Sequence, residues 1–441
     1  MADIKTCTLD YFPENILIDI LSYLNIKELV RAGRVCKRWR RLVKDQRLWR
    51  NVDLTTWKGI TLHLLWVLLR QYLGCGLRCL RLRGLLLSAR AGKLLSESWL
   101  QSLANKCPRL RRLSMFHADL RGLRSCSLLP RTLQVLELHG CELPPGFFSQ
   151  SAPDDGQEGE AAPAASLQVA EGADSKSGKG QASVGPSITI ETLVLDNVPS
   201  FTDQHLQSLS SWEKLTRLEL RDVIRVTAAG VRNCAPKELV LKHPTGGLSR
   251  LRRLEMGNFG RPGYQLQMAS LGLGVGWPGL EEVSLGGREV GPGLLCLRRL
   301  RDLHWLQLRS CRLSEMQVLR SCRILRGLRR LEFCEVDFQV HQRQPEEDGG
   351  EGGGNGGGGE WAGEGVEGDA EVRAAPEQQE QAAEGQVGER GQEGEGQEPD
   401  KEPEGQYDET DPVPAIRRAL AKLLPQCTLV FTGCKVTIRY D

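Results

Sequence analysis

No apolar run in this 441-residue chain approaches a membrane span. The most apolar stretch, Leu62 to Leu69, contains His63 and falls far short of the roughly 20 residues a helix needs to cross a bilayer. The opening Met-Ala-Asp-Ile-Lys-Thr-Cys-Thr-Leu-Asp lacks the apolar stretch and small-residue cleavage site of a secretory signal. The fourteen cysteines are therefore expected to be reduced thiols of an intracellular chain, in cytoplasm or nucleus, rather than a disulfide framework. Cys-x-x-Cys is absent: Cys75 and Cys79 are four apart, with no histidine cluster following, a spacing that disfavours zinc. The seven histidines are scattered without metal-ligand spacing or a paired nucleophile, and the glycine runs at 349–359 lead into no Gly-Lys-Ser/Thr phosphate loop. Aromatic residues make up only 5% of the chain, which leaves few stacking platforms for nucleic acid. These absences point away from an enzyme, with no cofactor and no metal expected, and towards a binding protein.

Charge is present but segregated. Residues 345–411 hold 22 acidic and 3 basic residues, and residues 149–187 hold 6 and 2. Against an overall formal charge of +2, their balances of −19 and −4 leave +25 on the remainder. Both segments are rich in Gly, Pro, Ala, Gln and Ser and poor in branched apolar residues, so neither buries enough surface to offset the entropy of ordering. Disorder is expected for both, as for the tail at 1–8.

What is abundant is the pattern Leu-x-x-Leu-x-Leu. It starts at Leu77, Leu110, Leu133, Ile190, Leu215, Leu251, Leu280, Leu303 and Leu328, with successive spacings of 33, 23, 57, 25, 36, 29, 23 and 25 residues. Only the 57 is far out of line, and it contains the first acidic segment, which reads as a loop extruded from one repeat. Loop lengthening is cheap, about 0.6 kcal/mol per doubling. A unit this short closes no core alone and must stack on its neighbours, exposing one long surface for gripping another molecule.

Position eight after each anchor is Leu85, Ala118, Cys141, Val198, Val223, Phe259, Arg288, Cys311 and Val336, apolar or cysteine in all but one. Cys107 precedes an anchor by three, and Thr202-Asp203 caps a stripe of Leu206 and Leu209. These features resemble the cysteine-containing class of leucine-rich repeats. The resemblance implies an α/β horseshoe over 56–344, with parallel strands on the concave face and helices on the convex face. Residues 238–242 read as an extra degenerate strand, and Leu271 to Gly279 as a poor helix. After the second acidic segment, Ile416, Leu420, Leu423 and Leu424 form one helical stripe ended by Pro425. Leu429-Val-Phe and Val436-Thr-Ile read as strands, so 412–441 is expected to be the last repeat helix and a cap.

Residues 9–55 do not follow the repeat. Ile16, Leu17, Ile20, Leu21 and Leu24 fit one helical face, with Pro13 in a first-turn position. Asn25 and Glu28 look like the cap of a second helix. Cys36, Trp39, Arg40 and Val43 make a third stripe, and Leu48-Trp49 closes the unit. The residues alone leave two readings open: a cap sealing the first repeat, or a module with apolar side chains left over for a partner. Residues 12–24, Val35-Cys36-Lys37-Arg38-Trp39 and Leu48-Trp49 resemble an F-box, an all-α three-helix module, with Phe12 where the usual leading leucine stands. The resemblance implies docking of a Skp-family adaptor, and through it a cullin scaffold and a RING subunit. Pro13, Ile16, Leu17, Ile20, Leu21, Val35, Cys36 and Trp39 are the expected adaptor contacts. The combination resembles substrate-recognition subunits of Skp–cullin–F-box ubiquitin ligases, which direct substrates to the proteasome. The alternative is a repeat scaffold that binds protein without any ligase.

Strand side chains alternate, so residues two and four past each anchor face away from the leucines. Arg81, Arg112, Arg217, Arg253 and Arg330, joined by Arg221 and Arg309 at position six, form a ladder suited to an acidic or phosphorylated protein substrate. Trp305 among them has the composition of an interface anchor. A second reading is a solvated face of Arg–Glu pairs, since Glu219, Glu255 and Glu332 lie close by. Charge opposition also suggests that 345–411 lies across this face as an intramolecular competitor. No membrane partner is expected, and nucleic acid is disfavoured.

Overall fold

The computed structural model describes residues 9–84, 95–149, 188–236, 247–259, 268–342 and 412–440. The tail at 1–8, the body of the 149–187 segment, the degenerate strand expected at 238–242 and the 345–411 segment thus lie outside the described residues. Among those described, no helix is long and apolar enough to cross a membrane.

Three short helices come first: α1 (Glu14–Leu21), α2 (Ile26–Ala32) and α3 (Lys37–Leu42). Pro13 stands at the start of α1 with φ −56°, suited to a helix entry. At α2 the expected reciprocal cap forms. The Glu28 N–H donates to Asn25 Oδ1 at 2.9 Å, and the Asn25 N–H donates to Glu28 Oε2 at 3.2 Å. At α3 the Trp39 N–H donates to Cys36 Sγ at 3.4 Å.

Strands and helices then alternate. In chain order they are β1 (Asn51–Asp53), α4 (Leu62–Gln71), β2 (Cys79–Arg83), α5 (Glu97–Lys106), β3 (Arg112–Phe116), β4 (Val135–His139) and β5 (Thr192–Asp196). Next come α6 (Asp203–Ser208), β6 (Arg217–Arg221), α7 (Ala228–Cys234), β7 (Arg253–Asn258), β8 (Glu282–Gly287), α8 (Val290–Cys296) and β9 (Trp305–Arg309). The carboxyl-terminal part adds β10 (Arg312–Ser314), α9 (Glu315–Ile324), β11 (Arg330–Cys334) and β12 (Asp337–Gln342). It ends with α10 (Pro412–Leu423), β13 (Thr428–Thr432) and β14 (Lys435–Tyr440). One eleven-stranded sheet runs β1-β2-β3-β4-β5-β6-β7-β8-β9-β11-β13, and β10, β12 and β14 form a second, three-stranded sheet.

The repeat pattern sets the register. Each strand of the nine repeats starts two residues past its anchor, and parallel pairing sets equal positions opposite one another: Leu80 with Leu113, Leu113 with Leu136, Leu136 with Leu193. The anchors and the residues three and five beyond them are at most 4% exposed. Burying a side chain of this kind contributes about 1.5–3 kcal/mol, which is what holds so many short strands in one layer. The core is a single cluster reaching from Leu17 in α1 to Leu424 after α10.

Two features go beyond the sequence expectation. β1 extends the ruler backwards, with Trp49, Val52 and Leu54 buried at the anchor, third and fifth positions. Seven residues past the anchor, moreover, the backbone turns left-handed, with φ of 46–55° at His117, Asn197, Asp222, Ser310 and Glu335 and 60–62° at Gly140 and Gly287. That turn closes seven of the nine repeat strands; Gly84 and Asn258, at the same position in the other two, do not take it. A Cβ on Gly140 would also lie 2.5 Å from His117 Nδ1. Gly140→Ala is therefore expected to destabilise the solenoid by about 1–2 kcal/mol or more, read as a lower urea midpoint at unchanged slope.

Position eight departs once from expectation: Phe259 is exposed, as is Arg288, the one polar residue of the set, whereas Ala118, Cys141, Val198, Val223, Cys311 and Val336 are buried and Leu85 lies outside the described residues. The poor helix is a 3₁₀ segment, Ala269–Val275. The buried Glu289 carboxylate holds its start, accepting from the Ala269 N–H at 3.0 Å, the Ser270 N–H at 2.8 Å and Asn258 Nδ2 at 3.3 Å. These bonds replace the propensity that the glycines withhold.

Candidate functional site

The first candidate is the outer face of the helical module. α1 is apolar on two sides, and packing sorts them. Leu17, Ile18 and Leu21 turn into the core. Ile16 and Ile20 point outward, 43% and 46% exposed, and Tyr23 continues their stripe at 89%. Pro13, Val35 (68% exposed) and Cys36 are also outward, while Trp39 is half-buried against the core.

The expected contact set therefore needs correction at Leu17 and Leu21, which are each 2% exposed and already covered by this chain. Leu9, Tyr11 and Tyr23 are exposed apolar residues outside that expected set. Tyr23 was findable, lying three residues past Ile20 and seven past Ile16, on one helical line. The module is braced from behind. Arg38 Nη2 donates to the Phe12 carbonyl at 2.7 Å, and Arg41 pairs with Glu14. The Trp49 indole donates to the Val43 carbonyl at 2.6 Å and stacks on Tyr72 with ring centroids 4.6 Å apart. The outward apolar face is thus held on a fixed backbone.

The second candidate is the open face of the eleven-stranded sheet. All eight expected residues (Arg81, Arg112, Arg217, Arg221, Arg253, Trp305, Arg309 and Arg330) stand on it. The arginines do not form a free ladder, because carboxylates take them up. Arg112 pairs with Glu137, which also accepts from Ser114 Oγ at 2.6 Å. Arg217 pairs with Glu219. Arg221 bridges Glu219 Oε2 and Glu255 Oε1, both at 2.7 Å, and Arg309 joins Glu255 at 2.8 Å. Arg253 meets Glu282 at 2.8 Å, Arg330 pairs with Glu332, and Arg81 reaches Asp53 at 3.5 Å.

Glu219 and Glu255 are each 3% exposed. Guanidiniums from neighbouring repeats supply the partners that these oxygens lose to water on burial. The Arg112 and Ser114 hydrogen bonds outweigh desolvation at Glu137 and hold its carboxyl below the usual range. Of the two readings of this face, the structure has the paired one. The competitor expected at 345–411 lies outside the described residues.

Exposed ring surface remains. The Arg253 guanidinium lies 4.5 Å from the Trp305 ring centroid, two strands away. Phe259, expected inside, folds over Gly257 and Gly286, and Arg309 sits 5.7 Å from its ring. The signal was Gly257 together with Gly286-Gly287: missing side chains on neighbouring strands leave room for a ring. His139 stacks on Phe116 at 4.5 Å and its Nδ1 meets Asp196 Oδ2 at 3.1 Å, which lowers the Asp196 carboxyl from its ordinary value.

The thirteen described cysteines are free. Burial pushes Cys107 and Cys141 up to about 11 and Cys311 up to about 12, so these thiols are protonated and poorly nucleophilic at neutral pH. Among the described residues, no group of three or more His, Cys, Asp or Glu side chains could hold a metal ion.

Comparison with known proteins agrees with this division. A family model described as F-box-like matches residues 9–55. The chain is 36% identical over 224 residues to F-box/LRR-repeat protein 12 of Homo sapiens and to that of Mus musculus, covering 51% of this chain and 59% of each relative. The Bos taurus protein of the same name is 34% identical over 219 residues, 50% of this chain and 57% of its own. The chain thus matches little more than half the length of these relatives. Residues 9–55 form an F-box-like domain, and the strands and helices after it form an α/β solenoid of the leucine-rich-repeat type.

Proposed function

We propose that this chain is the substrate-recognition subunit of an SCF-type ubiquitin ligase, working in the cytoplasm or nucleus. In this reading the F-box-like domain docks a Skp-family adaptor, which brings cullin and RING subunits, while the open face of the sheet holds a protein substrate for ubiquitination and proteasomal degradation. The observation that carries it is the outward stripe of Ile16, Ile20 and Tyr23 beside Val35, on a module whose opposite face is sealed by its own core. A module that served only to cap the first repeat would gain nothing from these four side chains. The relatives, by their names, join the same two parts.

The subunit contributes geometry and no bond-making group. Holding a substrate near a charged thioester raises effective concentration, and the buried thiols are too basic to accept ubiquitin themselves. On the sheet, Trp305 and Phe259, each beneath an arginine, are the anchors we assign to substrate.

The full chain mixed with a purified Skp-family adaptor is expected to co-elute with it in size-exclusion chromatography as a one-to-one complex. Separate elution at micromolar concentrations would remove the ligase reading and leave a protein-binding scaffold.

A further inference from the structure

The edge where the strands begin carries a different kind of charge from the open face. Backbone bonds thread this rim in order. The Arg111 N–H donates to the Arg78 carbonyl at 2.9 Å, the Gln134 N–H to the Arg111 carbonyl at 2.8 Å, and the Glu191 N–H to the Gln134 carbonyl at 2.8 Å. Arg78, Arg111 and Gln134 are thus successive rungs, with strands about 4.8 Å apart. The turns just before β3, β4 and β6 add Arg109, Arg131 and Lys214. Together these side chains line a groove of about 610 Å³.

Five cations share this groove with one carboxylate, that of Glu191. All five are exposed, and among the described residues none has an ion-pair partner. On the open face every ladder arginine is paired with a carboxylate; here five like charges are crowded around a single carboxylate that pairs with none of them, which is unfavourable unless an anion is supplied. The groove wall contains no aromatic residue, and Pro108 is its one apolar side chain. Base stacking and membrane insertion both need what is missing here. Guanidiniums in pairs fit phosphate, which offers more charge and more acceptor oxygens per group than a carboxylate.

We infer that the rim groove of Arg78, Arg109, Arg111, Arg131 and Lys214 is a binding site for a phosphorylated peptide segment. It lies apart from the adaptor-docking face and needs no ligase assembly, so it is tested on the chain alone.

The probe is a fluorescein-labelled glycine–serine peptide bearing two phosphoserines, followed by anisotropy with the full chain. The wild type is expected to bind it at least tenfold more tightly than the same peptide with serine or with glutamate at those positions. Charge reversal by Arg109→Glu with Arg131→Glu should weaken binding tenfold or more. Arg232→Glu with Arg320→Glu, the same change in net charge on exposed helix positions, should alter it less than twofold; circular dichroism confirms that both variants are folded. Equal weakening by the two pairs reduces the effect to general attraction and overturns the site. Equal affinity for the glutamate peptide overturns the phosphate assignment. Stronger competition by a single-stranded oligonucleotide of equal charge overturns the peptide assignment.

Discussion

Replacing Ile20 and Val35 together by aspartate is expected to abolish capture of a Skp-family adaptor while leaving the thermal transition of the chain almost unmoved. Both side chains stand in solvent, so the free protein loses no core contact when they change. In a complex that covers them, each apolar side chain is worth about 1.5–3 kcal/mol when fully buried. The pair thus contributes enough to shift affinity by roughly a hundredfold, and two carboxylates sealed without partners add a further penalty. Leu17→Asp is the necessary contrast. It also abolishes capture, but through the fold: a carboxylate forced into the space of a core leucine is expected to cost on the order of 4 kcal/mol, and the melting transition drops with it. If Ile20→Asp with Val35→Asp captures adaptor as wild type does, the docking face is not this stripe.

The second large effect is expected at Glu255. Its carboxylate lies under the open face and accepts from Arg221 on the neighbouring β6 and from Arg309 on β9, two strands away on the other side. Glu255→Ala leaves both guanidiniums, each less than a third exposed, without their shared anion. Removing one partner of a buried pair typically costs about 3–5 kcal/mol, and the partial exposure of the arginines puts the expectation at the lower end of that range. Glu255→Gln keeps an acceptor oxygen and is expected to lose less. Urea unfolding of the three proteins decides it: an alanine variant as stable as wild type would mean that the arginines are ordinary solvated residues and that the network orders nothing.

The repeat was legible because its signal is redundant. Leucine at the anchor, third and fifth positions is required by one continuous core, so nine copies of the pattern specify nine strands and their register. β1 escaped because its anchor is Trp49, which the helical module also uses, and Val52 and Leu54 alone make too short a pattern. The left-handed turn at position seven escaped for another reason: His117, Asn197, Asp222, Ser310 and Glu335 share a backbone conformation but, beyond being polar, no single residue type that would mark it.

The two candidate surfaces were legible only in outline. In α1 the sequence marks Ile16, Leu17, Ile20 and Leu21 alike as apolar, and hydrophobicity alone does not say which of two adjacent stripes packs inward; the placement of α3 against α1 decides that. On the sheet, the arginines were visible and so were the glutamates, but their pairing depends on which strands neighbour one another and how deep each carboxylate sits. Phe259 shows the same limit. A ring placed where a core residue belongs was turned outward because Gly257 and Gly286 open a seat for it.

β1 lies within residues 9–55, so the last segment of the F-box-like domain is itself the first strand of the solenoid. The two share that strand, with no linker segment between them among the described residues. A protein seated on α1 would therefore inherit a set bearing toward every strand behind it, and its separation from anything resting on a given strand would come in increments of about 4.8 Å. Under the proposed function, which lysines of a captured molecule come within range would then be decided by strand count, much as the notches on a caliper decide its gap.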